Sequence, residues 1–436
     1  MQPALLNYPL NKTIQRWLQS SPVAFVCYVS ITSFVVYCSM YGFRKPYTVA
    51  GFGDFHFMGI SYKVCLVIVQ VLGYMLSKFY GIKFIGTMRP EKRASNIMLV
   101  IGIAWLSLLL FAIIPAPYNI ICLFINGIPL GMVWGLVFGF LEGRKTTELM
   151  GAILSTSFIF ASGLAKTVGQ WLLLQLNVSE WWMPFIAGAI FILPLSICVW
   201  LLNQTPPPTR EDIRLRSVRN PMTKEQRKQF VGQFWLAITP VILAYAIFTI
   251  VRDFTEDFAN ELWIETGYHN NIGIFAKTSA VISLIVLAII GSFFLIRDNF
   301  KAFKVCHLII IIGALLAPLS TVLFQLHLIS PFLWMVVAST GLYLGYLPFN
   351  CFYFERLLAT YKVKGNIGFV MYIADAFGYL GTVLVLLIKE FIPIKYSWIN
   401  FFSFLFYGIG ILGFLLVAAS LAIHKDYFKQ FNKKLS

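Results

Sequence analysis

The sequence predicts an all-α membrane protein with twelve transmembrane helices in two pseudo-symmetric six-helix bundles. Three observations carry that expectation. Of 436 residues, 59% are hydrophobic and only 12% are charged, far from the balance of a soluble domain. Mostly apolar stretches recur along the whole chain at the length of about 20 residues that a helix rising 1.5 Å per residue needs to cross roughly 30 Å of hydrocarbon. The longest polar stretch, 203–229, falls between the sixth and seventh of them.

The first half contains spans over 22–46, 61–84, 97–115, 118–141, 151–175 and 181–203. The opening residues 1–20 carry Lys12 and Arg16 but no short apolar core followed by a small-residue cleavage site, so no removed signal peptide is expected. The linker, 204–230, holds Pro206-Pro207-Pro208 and a mixed run of acidic and basic residues. It closes on Thr223-Lys224-Glu225-Gln226, which fits a capping box with Thr at N-cap and Gln at N3, so the seventh helix is expected to begin in the cytosol. The second half has spans over 231–257, 271–296, 305–326, 331–355, 367–389 and 396–423. The domains are therefore 1–203, and 231–436 with a cytoplasmic tail.

Orientation follows from Lys and Arg, which concentrate in cytoplasmic loops. With the amino terminus inside, the inner segments hold 25 of the 34 Lys and Arg, while the outer loops 116–119, 177–180 and 327–330 hold none. Both termini are expected in the cytoplasm of a multi-pass inner-membrane protein. The formal charge of +16 then calls for anionic lipid beside the loops and for no nucleic acid. The seven cysteines form no C-x-x-C spacing and read as small apolar fillers. His56, His269 and His424 fall in loops or the tail and His307 and His327 near span ends, so neither a metal site nor a buried histidine is expected. The tempting Lys166-Thr167 follows Ala165 inside a span and lacks the glycines of a phosphate-binding loop. No cofactor and no enzymatic activity are expected. The expected partners are a small solute and membrane lipid, with the chain acting as a monomer.

Charges inside spans point to function, because each costs roughly 2.5–3.5 kcal/mol at a helix centre on insertion scales and is usually kept for a partner or a substrate. Arg44 and Arg252 stand at matching places in the two halves, each closing a long apolar run. A guanidinium is a planar fork of donors that keeps its charge at any physiological pH, so two facing arginines would clamp an anion. For Arg44 the alternative is snorkelling at the outer rim, since 22–41 alone spans the membrane. For Arg252 it is an i, i+4 pair with Glu256, beside Asp253 and Asp257. Lys166, roughly 22 Å along its helix from Gly151, is either a third positive group of an anion site or an ion-pair partner. Lys78, about 7.5 Å from Lys83 along the helix, reads as snorkelling, with a coupling or ion-pair role as the alternative. Asp375, about 12 Å into its span, is either a proton-coupling carboxylate or the partner of a base, as is Asp253. Lys45, Tyr41 and Asn350 are further candidates for solute contact, with ordinary packing as the alternative for Tyr41 and Asn350. Trp181, Trp182, Trp263, Trp334 and Trp398 read as interface anchors.

The halves echo each other elsewhere. The fourth span carries Gly131 and closes at Glu142, followed by Arg144, and the tenth carries Gly345 and closes at Glu355, followed by Arg356; Gly and Glu stand 11 and 10 residues apart. Such repeats build secondary transporters, whose substrate sites lie near the midplane between halves.

Two six-helix halves joined by a basic linker resemble the major facilitator superfamily. Within it, Tyr41-Gly42-Phe43-Arg44-Lys45, Gly73-Tyr74-Met75-Leu76-Ser77-Lys78-Phe79, Gly131-Met132-Val133-Trp134 and Phe377-Gly378-Tyr379-Leu380-Gly381 are similar to segments of the organophosphate:phosphate antiporters. A little-characterised bacterial branch shares the Phe-Arg-Lys-Pro stretch. The resemblance implies that Arg44 and Arg252 bind phosphate, and that Glu142, Arg144, Glu355 and Arg356 hold inter-helix salt bridges at the cytoplasmic gate. Departures are visible. Gly81-Ile82-Lys83-Phe84-Ile85-Gly86 lacks the acidic residue of the superfamily signature, and the fifth-helix histidine of the glycerol-3-phosphate transporters falls near Ala161. The implied activity is exchange of a phosphate ester for phosphate. Its rivals are proton-coupled import of a polycarboxylate such as a siderophore, and a non-transporting membrane enzyme or sensor.

Overall fold

The computed structural model describes residues 11–86, 90–209, 212, 224–268, 271–296, 298–361, 368–391 and 397–435. The expected capping box includes Thr223 and the inner-loop count includes Arg89, both outside the described residues. Two compact units emerge, one comprising 1–216, 268–283 and 386–393, the other 217–267, 284–385 and 394–436.

In the first unit, α1 (Lys12–Ser20) is capped by the Asn11 side chain and α2 (Pro22–Tyr41) by Ser21, with Pro22 at the first helical position. Then come α3 (Tyr62–Gly86), α4 (Arg93–Ile113), α5 (Ile120–Leu141), α6 (Thr147–Leu174) and α7 (Met183–Asn203). The first helix is shorter than the expected 22–46. Proline lacks an amide hydrogen and disfavours helix in the residue before it, so α2 stops at Tyr41 and Pro46–Val49 forms a separate 3-10 turn. A small antiparallel hairpin, β1 (His56–Phe57) and β2 (Ile60–Ser61), departs from the all-α expectation. Met58 and Gly59 between its strands both take positive φ, 53° and 80°, as a two-residue type I′ turn requires.

The second unit contains α8 (Lys224–Asp257), α9 (Ala259–Glu265), α11 (Asn299–Gln325), α12 (Pro331–Pro348), α13 (Phe354–Thr360), α15 (Trp398–Gly408) and α16 (Phe414–Leu435). Helices α10 (Ile274–Gly291) and α14 (Gly368–Phe391) contribute to both units. The expected tenth span, 331–355, is interrupted after Pro348 by a π-turn at Phe349–Tyr353 that carries Asn350. A second π-turn, Ile409–Gly413, divides the last helix.

Ten helices among the described residues are long and apolar enough to cross a membrane, which makes this a multi-pass membrane protein. Helices α3 and α14, of 25 and 24 residues, lie at the remaining two expected spans. The repeated glycines mark close helix crossings. A Cβ on Gly131 would strike the Ser77 side chain of α3, and one on Gly345 the Phe248 ring of α8. Two tryptophans expected at the interface are core residues instead. Trp334 is fully buried, stacked on Phe324 at 4.2 Å and donating from Nε1 to Thr321 Oγ1 at 3.0 Å, and Trp263 is buried as well. A ring finding packing partners and an acceptor inside its own unit has no need of the interface.

Candidate functional site

In the first unit the turn after α2 delivers the charges. Arg44 lies beyond the helix end yet is only 5% exposed, so it does not snorkel at the rim. Its guanidinium sits over the Tyr74 ring at 4.1 Å and 5.6 Å from that of Tyr41, within reach of cation–π attraction. Lys78, expected to snorkel, is half-buried with Nζ 5.3 Å from the centre of the same Tyr74 ring. The turn is fixed through its backbone. Gln70 Nε2 donates to the Arg44 carbonyl at 3.2 Å and to Asn126 Oδ1 at 2.8 Å, while Asn126 Nδ2 donates to the Phe43 carbonyl at 3.2 Å.

The next turn, Pro46–Val49, lies against α6 at Gly169, where a Cβ would come within 3.1 Å of the Pro46 carbonyl. Lys166 is one turn away on that helix, 4% exposed, with Nζ 5.8 Å from the Phe275 ring. Residues 274–283 of α10 pack on the same helix, where Ala276 N donates to Thr167 Oγ1 at 3.0 Å and Gly163 leaves room for Ser279. Lys45 and Lys63 are also buried. Among the described residues of this unit, the buried charged side chains are Arg44, Lys45, Lys63 and Lys166, and no carboxylate is buried. This is a strongly electropositive interior.

The second unit gathers Arg252, Asp253, Asn350 and Asp375 in one network. Arg252 stands over the Tyr346 ring at 4.2 Å, the same face-on arrangement that Arg44 makes with Tyr74. Here, however, the cation is compensated within its own helix: Nη2 bonds Asp253 Oδ1 at 2.6 Å, and Nε lies 3.8 Å from Glu256 Oε1, the i, i+4 pairing the spacing allowed. Thr382 Oγ1 donates to Asp253 Oδ2 at 3.1 Å and Tyr343 to Glu256 Oε1 at 3.0 Å. The Tyr245 hydroxyl bonds Asp375 Oδ1, lies 3.4 Å from Asn350 Oδ1 and 3.3 Å from the Tyr346 hydroxyl, and its ring stacks on Tyr346 at 5.2 Å. Asn350 Nδ2 is buried without a hydrogen-bond partner. Asp253, Glu256, Asp257 and Asp375 are all buried, so this interior has the opposite balance from that of the first unit.

At the expected gate, Arg144 sits over the Phe25 ring at 4.4 Å and donates to the Pro206 carbonyl, while the neighbouring Lys145 amide donates to Asp212 Oδ1 at 2.9 Å. Burial lowers the Arg144 pKa to about 10, with Asp212 opposing. Burial raises the Asp212 pKa, but bonds from Lys145 and Thr209 and the Arg144 charge outweigh it and hold that carboxyl below its ordinary value. Glu142, half-buried, caps the end of α5. Arg356 donates to Asn299 Oδ1 at 2.7 Å, and Glu355, also half-buried, precedes it on α13.

Tyr74 and Tyr346, whose rings lie under the two guanidiniums, were not singled out from the sequence, and neither was Tyr245, although it stands seven residues before Arg252 and so on the same helix face. The histidine expectation is overturned. His307 and His424 are 0% and 1% exposed, because α11 and α16 extend past the points where hydropathy declines and bring their polar ends into one packed cluster.

A family profile described only as a family of unknown function, DUF5690, matches residues 46–430. The chain belongs to that family. The profile covers Lys166, Arg252, Asn350 and Asp375 and begins two residues after Arg44. No curated protein matches this DUF5690 chain. Three solved structures share its fold. The human organic anion transporter MFSD10 (TETRAN) aligns with TM-score 0.53 and 13% identity over 91% of this chain and 98% of its own. A D-xylose–proton symporter gives 0.58 and 14% over 90% and 96%. A POT family transporter in complex with a thioalcohol-conjugated peptide gives 0.59 and 14% over 91% and 96%. At such identities the likeness is one of fold, and that fold is the major facilitator fold.

Proposed function

We propose that this DUF5690 protein is a secondary active transporter that moves a small organic anion across the cytoplasmic membrane by alternating access, with phosphate-ester/phosphate exchange as the favoured mode. One observation carries the reading: the buried charges of the first unit, among its described residues, are all cationic. Like charges gathered in one interior raise the local concentration of anions, and an anionic solute suits that interior. In this reading Arg44, Lys45, Lys166 and Tyr41 are the first unit's anion-binding residues, Arg252 and Asn350 are the second unit's candidates for solute contact, and Glu142, Arg144, Glu355 and Arg356 serve the cytoplasmic gate. Tyr74 contacts Arg44 through the face of the guanidinium, whereas hydrogen bonds to oxyanions are made from the edge. Both termini are read as cytoplasmic, and the protein as a monomeric carrier rather than an enzyme.

A thermal-shift screen of phosphate esters and carboxylates on the purified protein tests the proposal, since a ligand that binds only the folded state raises its melting temperature by mass action. A phosphate ester is expected to shift the wild type and to lose that shift in Arg44→Lys and Arg252→Lys. Shifts unchanged in both variants would reject the assignment of the arginines.

One observation favours a second reading, proton-coupled import of a polycarboxylate. Asp375 is buried with its carboxylate on the Tyr245 hydroxyl, and Asp253 holds Arg252; both are carboxylates placed where a proton would change the local charge. Uptake driven by a pH gradient and abolished in Asp375→Asn supports this reading over exchange.

A further inference from the structure

Away from the arginines, two histidines and two tyrosines of the second unit form a closed hydrogen-bonded cluster that solute binding does not use. His307 Nδ1 lies 2.9 Å from the Phe303 carbonyl, and its Nε2 3.2 Å from the Tyr353 hydroxyl. A carbonyl can only accept, so Nδ1 carries a proton; in the neutral imidazole Nε2 then accepts from Tyr353. The Tyr361 hydroxyl donates to the His424 carbonyl at 3.1 Å. Its 2.9 Å contact with His424 Nδ1 is then a bond donated by the ring, which leaves His424 Nε2 as a bare lone pair. That nitrogen is buried and has no hydrogen-bond partner. The two rings are 5.9 Å apart, and the edge of Phe303 meets both, at 4.6 and 4.9 Å.

The titratable and charged groups around the pair come from every element packed on it. On α11 they are Cys306 and Lys304, the latter over the Phe300 ring. The π-turn and α13 bring Tyr353, Glu355 and Arg356, which Asn299 holds, and Tyr361 follows. Helix α16 adds Lys425, Asp426 and Tyr427, and α8 presents the Phe234 ring to Tyr361 at 4.9 Å. Among the described residues, no hydrogen bond or ion pair joins either imidazole to a carboxylate. A proton on His424 would therefore place an uncompensated charge in an aromatic cage, a cost that opening to water relieves.

Tyr353 and Tyr361 flank α13, the helix that bears Glu355 and Arg356. We propose that His307–Tyr353 and His424–Tyr361 form a pH-sensitive latch, holding α13 against α11 and α16 while both imidazoles are neutral and releasing it when one of them takes a proton. An opened imidazole titrates near its ordinary value of about 6.5. The latch is thus fully held above that pH and loosens as pH falls below it, by at most about tenfold in its opening equilibrium per pH unit for one proton.

Hydrogen–deuterium exchange of the full-length protein in lipid nanodiscs, read on peptides covering 351–361 and 418–427 and corrected for intrinsic exchange rates, tests the latch between pH 7.5 and 5.5. The wild type should exchange several-fold faster at pH 5.5, and His424→Gln should remove most of that rise. Tyr361→Phe, which deletes one oxygen and leaves both imidazoles in place, should exchange faster than wild type already at pH 7.5 while still responding to acid. A wild type indifferent to pH, a His424→Gln protein with the full rise, or a Tyr361→Phe protein matching wild type at pH 7.5 would each overturn the proposal.

Discussion

Arg252→Met tests whether Asp253 compensates this arginine. The substitution keeps the side chain long and apolar but leaves Asp253, 2% exposed, without the 2.6 Å bond from Nη2. Removing one member of a buried ion pair costs about 3–5 kcal/mol, because the remaining charge stays out of water. Losing the face contact with Tyr346, at 4.2 Å, adds about 0.5–2 kcal/mol. Asp253→Asn in the same chain removes the stranded charge and keeps a group for Thr382, so the double variant should recover to within about 1–2 kcal/mol of wild type. A double-mutant cycle from unfolding by SDS titration in mixed micelles should therefore give a coupling of at least about 2.5–5 kcal/mol, the cost of Arg252→Met less that of the double variant. Solute binding should not recover, because the cation is still missing. Additive effects, within about 0.5 kcal/mol, would refute the claim that Asp253 compensates Arg252.

Other expectations follow from the same geometry. Tyr74→Leu and Tyr346→Leu each remove one guanidinium's aromatic platform and should weaken solute binding about 2- to 30-fold, the equivalent of about 0.5–2 kcal/mol, as measured by isothermal titration. The corresponding Phe variants should bind nearly as wild type. Asp212, whose folded pKa lies below its ordinary value, supports the clasp of Thr209 and Lys145 above about pH 3.9 and loses that contribution as pH falls through the folded value. Asp212→Asn should accordingly raise amide exchange over 144–147 and 205–209 at neutral pH. Gly345→Val, which drives a branched side chain into Phe248, should destabilise the second unit by about 1–3 kcal/mol, seen as a lower melting temperature.

Much of the architecture was legible in the sequence, because a span leaves a long apolar signature and a linker leaves a polar one. Helix ends were less so. Hydropathy carries the first span to 46, yet Pro46 ends it at Tyr41 by removing a donor and restricting the residue before it. Trp334 and Trp263 misled because an amphipathic ring near a span end satisfies the interface rule as well as it satisfies a packed core. At the site, the arginines announced themselves by the cost of their charge. Tyr74 and Tyr346 carried no such cost, and what distinguishes them from most other tyrosines is which ring lies under which guanidinium, a matter of helix rotation. For Arg252 the i, i+4 neighbour Glu256 is present as the spacing allowed, and the guanidinium also stacks on Tyr346, a contact the spacing did not suggest. His307 and His424 were discounted by position along the chain, although position does not say which face of a helix a residue occupies.

The central claim is that the cationic interior of the first unit takes an anion that must be exchanged. Proteoliposomes reconstituted with the wild-type protein and given external radiolabelled phosphate test it directly. The account predicts accumulation of label when phosphate or a phosphate ester is trapped inside, little without it, and none in Arg44→Lys. Uptake that proceeds equally well into vesicles holding no counter-anion, or that survives Arg44→Lys undiminished, would contradict it.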